Sequence, residues 1–148
     1  MKVMFICTGN ICRSAMAHWM LKKKAIEQNK NIEVYSCGLE ADDGWKSTNE
    51  AVEVMKEYGI DLTHHRSTSL KNSNIEDMDV ILCATRVHKG AIIYLYPELE
   101  NKVYTMKEYA GYDASNLDIS DPWGYGIDVY RRCAKEIEDC IDKYLEKM

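Results

Sequence analysis

Apolar and polar positions follow two different periods along the chain, and the changes of period predict alternating strands and helices. Short apolar or β-branched runs, typical of strands, cover residues 2–6, 32–37, 79–84 and 101–105. Apolar residues at helical spacing predict helices over residues 14–28, 48–58, 87–95 and 127–146. The last helix has the clearest apolar stripe, made of Tyr130, Cys133, Ala134, Ile137, Cys140, Ile141, Tyr144 and Leu145.

Strands that alternate with helices through short connections form a parallel sheet with right-handed crossovers. We therefore predict an α/β fold, with a three-layer α/β/α arrangement around a four-stranded parallel sheet. It should be doubly wound like flavodoxin and form a single domain over residues 1–148. In such folds the ligand site lies beyond the carboxyl ends of the strands. Cys7 directly follows the first strand, so we expect it at this edge of the sheet.

Local signals add finer predictions. Ser47 or Thr48 should cap the second helix, with Glu50 placed for reciprocal capping. Residues 72–77 should form one short helical turn, and residues 106–122 a long irregular stretch of the kind that often carries function. In the first helix, the residues expected on the apolar side are Met16, Trp19, Met20, Ala25 and Ile26, and those expected in water are Lys22, Lys23 and Lys24.

Composition limits the classes of function. Of the 148 residues, 46% are apolar and 29% charged, which is typical of a soluble globular protein. The net charge of −5 argues against non-specific binding to nucleic acid or to anionic lipid. No apolar segment is long enough for a signal peptide or a membrane span. We expect a monomer in the cytoplasm.

The cysteines point to the same compartment. Six cysteines without a secretory signal indicate a reducing environment. Their spacing contains no Cys-x-x-Cys pair and no zinc-type quartet with histidine, so we expect neither a metal nor another cofactor. Four of them are most simply interpreted as small buried apolar residues, namely Cys37, Cys83, Cys133 and Cys140.

The candidate chemistry is concentrated between the first strand and the first helix. This loop reads Cys7-Thr8-Gly9-Asn10-Ile11-Cys12-Arg13-Ser14. A strand, a short loop and a helix in this order form an anion cradle, because loop N–H groups turn inward and the helix N-terminus adds partial positive charge. The Arg13 guanidinium adds a permanently charged, bidentate match to a phosphate. We expect substrate contacts from Thr8, Gly9, Asn10, Ile11, Cys12 and Ser14.

Unlike a nucleotide-binding loop, this one begins with a nucleophile, Cys7. An ordinary cysteine is only a few per cent thiolate at neutral pH. The groups that hold phosphate also favour the thiolate, and Ser14 can donate a hydrogen bond to the sulfur. In-line attack on a phosphate monoester then gives a cysteinyl phosphate and an alcohol leaving group. That leaving group needs a proton from a nearby acid.

The candidate acid is Asp121, which is followed by Pro122 and Trp123. Pro122 stiffens the loop and favours an extended conformation at Asp121, while Trp123 offers an apolar wall for an aromatic substrate. An Asp-Pro pair alone is an ordinary turn signal, and it gains weight here because the cysteine-arginine loop requires an acid. Trp45, in the polar loop 39–46, is a further candidate for substrate contact.

These residues carry a family resemblance. The run from Cys7 to Ser14, followed by Met16-Ala17, resembles the signature of the low-molecular-weight protein tyrosine phosphatases. Asp121-Pro122-Trp123 lies where that family has its Asp-Pro-aromatic motif, just before the last helix. Ser36-Cys37-Gly38 and Asp79-Val80-Ile81-Leu82 fit as well, so the resemblance covers the whole chain. Two residues depart from the pattern: Ala15, where the family usually has proline, and His18, where it often has glutamate.

The resemblance implies roles for individual residues. Cys7 would be the nucleophile, Arg13 the phosphate clamp, and Asp121 the general acid and then the general base. Asn10 and Ser14 would tune the loop. Cys12 would form a reversible disulfide with Cys7 that shields it from over-oxidation, the alternative being a buried loop residue. His64 or His65 either matches a family histidine that braces the loop or belongs to an exposed pair.

The resemblance includes two groups with different substrates. Isoleucine at the position of Ile11 accompanies action on phosphotyrosine, and threonine accompanies action on phosphoarginine. A branched apolar side chain at the loop rim can pack against an aryl ring. By contrast, Lys107-Glu108-Tyr109 and Asp121-Pro122-Trp123-Gly124 look more like the arginine-directed branch. We predict a phosphotyrosine-containing protein as substrate and inorganic phosphate as product, with protein-arginine phosphatase as the alternative.

Three other classes share parts of the pattern. A thiol-dependent arsenate reductase has the same fold and loop, but it needs a relay of further cysteines, and Cys83 has no second cysteine near it in the chain. Asp121 would also have no role there. A phosphoryl-carrier domain of a sugar transport system must keep its phosphate, which Arg13 and Asp121 argue against. A phosphate-dependent binding module would be expected to lose one of these catalytic residues.

Overall fold

A computed structural model describes all 148 residues and shows four strands and five helices. The strands are β1 (Lys2–Cys7), β2 (Glu33–Gly38), β3 (Val80–Cys83) and β4 (Val103–Thr105). The helices are α1 (Arg13–Glu27), α2 (Asn49–Lys56), α3 (Arg86–Leu95), α4 (Met106–Tyr109) and α5 (Ile127–Lys147). Short 3₁₀ segments lie at Leu62–His64, Leu70–Asn72, Ile75–Asp77 and Pro97–Lys102. No helix has both the length and the apolar character needed to cross a bilayer.

The strands form one parallel sheet in the order β2-β1-β3-β4, which confirms the predicted α/β fold. The register brings the carboxyl ends of the strands to one edge. Cys7 lies opposite Gly38, and Ile6 lies between Cys37 on one side and Cys83 on the other. Because β1 is a central strand, the loop that follows it begins in the middle of this edge.

Alternate residues of β1 enter two different cores, since successive side chains point to opposite faces of a sheet. Val3 and Phe5 belong to the larger core, which α1, α2 and α5 complete. Met4 and Ile6 belong to a smaller core with residues of β3, β4 and α3. All eight residues of the predicted α5 stripe are buried in the larger core. The strand that presents Cys7 is therefore held from both faces.

For one residue of the predicted apolar side of α1, the prediction is wrong. Ile26 is exposed, whereas its neighbour Ala25 is buried. Consecutive helical residues are separated by about 100°, so these two cannot both face the same core. Of the three lysines expected to face water, Lys24 instead packs against α5. Its Nζ lies 3.1 Å from Glu138 Oε2 and 2.7 Å from Asp142 Oδ1.

One of the two predicted caps of the second helix is confirmed, but its reciprocal partner and the capping of α4 differ from the prediction. Thr48 caps α2 and accepts a hydrogen bond from the Ala51 N–H, so the position for reciprocal capping is Ala51 and not Glu50. Within the stretch predicted to be irregular, Thr105 and Glu108 form a complete capping box around α4. The Thr-x-x-Glu spacing was the available signal for this one-turn helix. Residues 72–77 contain the end of one 3₁₀ segment and the whole of another, where a single turn was predicted.

Candidate active site

A cavity of about 240 Å³ lies at the carboxyl end of β1. Eight residues line it: Cys7, Thr8, Gly9, Ile11, Cys12, Arg13, Asp121 and Trp123. The fold thus brings the Asp121 segment to the phosphate loop, although the two are more than a hundred residues apart in the chain. We use the term phosphate loop for residues 7–14, which begin at the end of β1 and continue into α1.

The backbone of the phosphate loop is held by Asn10 on one side and by Gly38 on the other. Asn10 has a positive φ of 55°, a left-handed conformation that asparagine adopts more readily than most residues. Its side-chain oxygen accepts a hydrogen bond from the Thr68 N–H at 3.0 Å. On the other side, Gly38 packs so closely that a Cβ there would lie 2.6 Å from the Thr8 carbonyl oxygen. The loop therefore rests directly on the end of β2.

A chain of hydrogen bonds ends at the sulfur of Cys7. Asn10 Nδ2 donates to Ser14 Oγ at 2.8 Å, and Ser14 Oγ lies 2.9 Å from Cys7 Sγ. The amide nitrogen can only donate, so the Ser14 oxygen accepts that bond and keeps its own hydrogen for another partner. Because Ser14 is buried, the sulfur of Cys7 is the partner at hand. Ser14 is thus placed to donate a hydrogen bond to the sulfur of Cys7.

His65 supports the same loop from below. Its Nε2 lies 2.9 Å from the Asn10 carbonyl oxygen, and Trp19 Nε1 donates to its Nδ1 at 2.9 Å. Since the indole N–H can only donate, Nδ1 must accept, and the ring proton is on Nε2, which donates to Asn10. Burial lowers the pKa of His65, which favours this neutral form. His64 is exposed, so His65 is the histidine that braces the loop.

Arg13 lies at the start of α1 and is almost completely buried. Its Nη1 donates to the Ile119 carbonyl oxygen at 2.9 Å, while Nη2 lies 3.7 Å from Asp121 Oδ2. Its Nε is buried and has no hydrogen-bond partner within the protein. The Ile119 contact fixes the plane of the guanidinium, and Nε and Nη2 are the nitrogens left to bind an anion.

The segment that carries Asp121 is tied to the junction between β3 and α3. Ile119 N–H donates to the Ala84 carbonyl oxygen at 2.9 Å, and Asp118 Oδ1 accepts from the Arg86 N–H at 2.8 Å. Asp121 Oδ1 accepts from the Trp123 N–H, and the Asp121 side chain is 53% exposed. The Asp121 carboxyl group can therefore contact both a molecule bound in the cavity and the solvent.

The other five thiols are also buried. Cys12 lines the cavity, 3.5 Å from the Tyr130 hydroxyl, and burial raises its pKa to about 11. Burial also raises the pKa of Cys37 and Cys133 to about 12 and that of Cys140 to about 11. The predicted burial of Cys37, Cys83, Cys133 and Cys140 is confirmed.

Most predicted site residues meet at this cavity, with two kinds of exception. Asn10 and Ser14 do not line it but form the hydrogen-bonded layer beneath Cys7. Trp45 is not brought to the cavity. It lies exposed in the loop before α2, where its backbone N–H donates to Ser67 Oγ. No group of three or more His, Cys, Asp or Glu side chains is arranged to hold a metal ion.

One buried histidine near the cavity, His88, was not predicted from the sequence; its Nε2 lies 2.9 Å from Thr8 Oγ1. It lies in the first turn of α3, directly after β3. The signal available was its position, because polar residues that follow a strand adjacent to β1 reach the same edge of the sheet as Cys7.

Comparison with known proteins gives a consistent picture. The sequence matches the family described as "Low molecular weight phosphotyrosine protein phosphatase" over residues 2–148. It is 39% identical to a protein-arginine-phosphatase of Geobacillus stearothermophilus, over 99% of this chain and 95% of the relative. It is 33% identical to the low molecular weight protein-tyrosine-phosphatase PtpB of Staphylococcus epidermidis, over 97% of this chain and 96% of the relative.

Solved structures agree with the sequence comparison. The fold superposes with a TM-score of 0.93 on a crystal structure of a low molecular weight protein tyrosine phosphatase from T. tengcongensis, at 40% identity. The match covers 100% of this chain and 99% of the other. This chain therefore belongs to the low molecular weight phosphotyrosine protein phosphatase family.

Proposed function

We propose that this protein hydrolyses phosphotyrosine in protein substrates through a covalent cysteinyl phosphate. The observation that carries the proposal is the single cavity lined by the Cys7 thiol, the Arg13 guanidinium and the Asp121 carboxyl group. These three groups supply a nucleophile, an anion clamp and a proton donor, which together are sufficient for transfer of a phosphoryl group.

In the first step, the Cys7 thiolate attacks phosphorus in line with the departing tyrosyl oxygen. The S–P bond forms, the P–O bond to the tyrosine breaks, and Asp121 in its acid form donates a proton to the phenolate oxygen. Ser14 Oγ lies 2.9 Å from the sulfur and can donate a hydrogen bond to the attacking thiolate. Arg13 presents Nε and Nη2 to two phosphoryl oxygens and so stabilises their charge during transfer.

In the second step, Asp121 is a carboxylate and acts as a base. It removes a proton from a water molecule whose oxygen attacks the phosphorus of the cysteinyl phosphate. The S–P bond breaks, the thiolate is regenerated, and inorganic phosphate leaves. The half-exposed position of Asp121 at the cavity supports both roles, because solvent can reach the same carboxyl group.

Two apolar side chains at the cavity support an aromatic substrate. Ile11 is partly buried against the larger core, so its position at the cavity is held by packing. Trp123 lines the cavity too, although 63% of it is exposed, and it can cover one face of a ring that enters. The staphylococcal relative, named a protein-tyrosine-phosphatase, supports the same choice.

Phosphoarginine is the second candidate substrate, and two observations favour it. The Geobacillus relative is named a protein-arginine-phosphatase. In addition, the Asp121 carboxylate at the cavity could pair with the guanidinium of a phosphoarginine side chain. This alternative keeps the cysteine, the arginine clamp and the fold, and changes only the leaving group.

A comparison of two matched peptides tests the substrate choice. The peptides share one sequence and carry either phosphotyrosine or phosphoarginine. We expect the wild type to have the higher kcat/KM on phosphotyrosine, and Ile11→Thr to shift the ratio towards phosphoarginine by about tenfold, a loss of apolar contact on the order of 1–2 kcal/mol. Ile26→Thr is the matched control, because Ile26 is exposed near the end of α1.

The same experiment can contradict each part of the proposal. A wild type that prefers phosphoarginine would replace the tyrosine assignment, and an unchanged ratio in Ile11→Thr would remove Ile11 from substrate choice. Turnover of either peptide by Cys7→Ala would reject the cysteine mechanism as a whole.

We also propose that residues 1–148 act as one domain and as a monomer in a reducing, cytoplasmic compartment. One sheet with a core on each face supports the single domain. Six unpaired cysteines support the reducing compartment. Light scattering coupled to gel filtration would give the mass of the particle, and about twice the chain mass of 17.1 kDa would reject the monomer.

A further inference from the structure

The junction between β3 and α3 contacts the phosphate loop through a buried histidine that the proposed mechanism does not use. His88 is 6% exposed and lies in the first turn of α3. Its Nε2 is 2.9 Å from Thr8 Oγ1, and its Nδ1 is 2.8 Å from Thr85 Oγ1. Thr8 follows Cys7 directly and lines the cavity. A line of three polar side chains thus leads from the cap of α3 to the candidate active site.

The donors and acceptors in this line give it a direction. Thr85 Oγ1 already accepts a hydrogen bond from the His88 backbone N–H, as the cap of α3. The remaining hydroxyl hydrogen of Thr85 has one acceptor within the protein, which is His88 Nδ1. The ring proton is then on Nε2, which donates to Thr8 Oγ1. Thr8 has no other side-chain partner, so its own hydroxyl hydrogen is free to point into the cavity.

The opposite tautomer of His88 leaves one hydroxyl hydrogen without an acceptor within the protein. If Nδ1 carried the proton and donated to Thr85, the Thr85 hydroxyl hydrogen would have no acceptor within the protein. Thr8 would then donate to His88 and turn its lone pairs towards the cavity, where a phosphoryl anion would meet an acceptor instead of a donor. An anion in the cavity therefore favours the first arrangement by one charge-assisted hydrogen bond.

The charge state of His88 is consistent with this direction. Burial and, after it, the nearby Arg13 guanidinium lower the pKa of His88 to about 4, while Asp121 and Asp118 each oppose this with a smaller effect. The ring is therefore neutral at neutral pH, and it can accept at Nδ1 while it donates at Nε2.

We propose that His88 is a positioning residue that holds the Thr8 hydroxyl as an additional hydrogen-bond donor to the transferring phosphoryl group. The inference rests on the proposed function, because it needs a phosphoryl group above Cys7. It assigns to Thr8 a contribution from its side chain, beyond the backbone N–H groups of the loop. It also makes α3 part of the catalytic apparatus, although none of its residues lines the cavity.

Four variants and one anion test this relay. Vanadate serves as the probe, because its five-coordinate form resembles the transferring phosphoryl group, and calorimetry measures its affinity without turnover. We expect Thr8→Val to weaken vanadate binding and lower kcat/KM on para-nitrophenyl phosphate by about ten- to a hundredfold, the loss typical of a hydrogen bond to a charged group. Thr8→Ser should lose much less than Thr8→Val, since it keeps the hydroxyl.

The His88 variants separate positioning from mere structure. His88→Leu should reproduce most of the Thr8→Val loss, and His88→Gln should restore much of it because the glutamine amide can donate near the position of Nε2. The double variant Thr8→Val with His88→Leu should be no worse than Thr8→Val alone, since both act on one hydroxyl. His64→Leu is the matched control, because His64 is exposed and its side chain pairs only with Asp61.

Several outcomes would overturn the relay. Wild-type vanadate affinity in Thr8→Val would do so, and this variant decides the matter even if His88→Leu fails to fold. Additive losses in the double variant, or a His88→Gln protein that matches His88→Leu in both activity and thermal stability, would show that His88 has a structural role only. A wild type that binds vanadate but does not hydrolyse the aryl phosphate would instead reject the proposed function, so the two failures can be told apart.

Discussion

Two side-chain nitrogen atoms that can only donate fix the hydrogen-bond directions around the phosphate loop. The Asn10 amide nitrogen obliges Ser14 to accept, which leaves the serine hydrogen for Cys7. The Trp19 indole obliges His65 Nδ1 to accept, which places the ring proton against the Asn10 carbonyl. Both contacts thus leave a defined donor pointing at the loop: the Ser14 hydroxyl at Cys7 and the His65 ring at Asn10.

Asp121 gives the most specific prediction for a single residue. Asp121→Asn removes the proton donor but keeps the size of the side chain. We expect kcat on phenyl phosphate, whose leaving group is poor, to fall about a hundredfold or more, the usual contribution of general acid catalysis. On para-nitrophenyl phosphate, whose leaving group departs readily as an anion, the formation of the cysteinyl phosphate should change little.

Rapid-mixing measurements of the first step on both substrates check this expectation. An equal loss on the two substrates would contradict the acid role and would indicate that Asp121 acts through its contact with Arg13.

Single residues differ in how far the sequence could assign them. The meeting of Cys7, Arg13 and Asp121 at one cavity was predictable, because a cysteine-arginine loop calls for an acid nearby. The choice between His64 and His65 was not, because adjacent loop residues differ only in burial, and burial depends on the position of Trp19 in α1. His88 was missed because its role appears only when the ends of β1 and β3 are seen side by side.

At the scale of elements, the phosphate loop depends on the strand beside it. A Cβ on Gly38 would lie 2.6 Å from the Thr8 carbonyl oxygen, 2.8 Å from Ala41 Cβ and 3.0 Å from the Asn10 N. Two of these three atoms belong to the backbone of the phosphate loop, which cannot move without displacing the anion cradle. The end of β2 is therefore a surface against which the loop takes its shape.

A pair of glycine variants tests this dependence. Gly38→Ala should push the loop away, cost on the order of 1–3 kcal/mol of unfolding free energy and lower kcat/KM by more than tenfold. Gly90→Ala is the matched control, because a Cβ there meets no atom within 4 Å and the residue lies within α3. It should stabilise the protein by about 0.5–1 kcal/mol and leave kcat/KM unchanged.

Urea denaturation and steady-state kinetics on both proteins give the two quantities. Wild-type activity in Gly38→Ala would mean that the loop tolerates displacement and would contradict the close-packing argument.

Element boundaries show which signals the sequence carries. The stripe of α5 was predicted residue by residue, because a long helix against one core repeats its signal over about four turns. The helix α4 was missed, because four residues give no period and its Thr105–Glu108 box stands alone as evidence. Ile26 was assigned to the wrong face for a related reason. Near the end of a helix, an apolar side chain can face solvent while the apolar pattern of the sequence still continues.

At the scale of the whole molecule, the buried His65 and His88 and the partly buried His18 link stability to pH. Burial lowers the pKa of His18 to about 3 and that of His88 to about 4, and it also lowers that of His65. Below about pH 6.5 the unfolded chain protonates these rings while the native state keeps them neutral. The unfolded state then binds more protons, so the free energy of unfolding falls as the pH falls from about 6.5 towards 4.

The size of this effect can be measured by urea denaturation. Between about pH 7 and pH 5 we expect a loss of about 2 kcal/mol for each of His18 and His88. His18→Asn should show a shallower dependence on pH than the wild type, whereas His64→Asn should match it because His64 is exposed. A free energy of unfolding that stays constant over this interval would contradict the neutral, buried state of these rings.

The fold as a whole was predictable from the sequence, and the site largely so. Short apolar runs alternating with amphipathic segments admit few arrangements other than a parallel sheet with helices on both faces. The position of Trp45 was not predictable, because the sequence of a polar loop of eight residues does not indicate the direction in which the loop leaves the edge of the sheet. The sequence likewise contains no measure of the contacts that hold the Asp118–Asp121 segment against β3 and α3.

The central claim is that the phosphoryl group passes through the sulfur of Cys7. Rapid acid quench of the enzyme with phosphorus-labelled aryl phosphate, followed by peptide mapping, tests it directly. We predict label on the peptide that contains Cys7 in the wild type, more label in Asp121→Asn, whose second step lacks its base, and none in Cys7→Ala. Turnover by the wild type without labelled Cys7, or label on any other residue, would contradict the account.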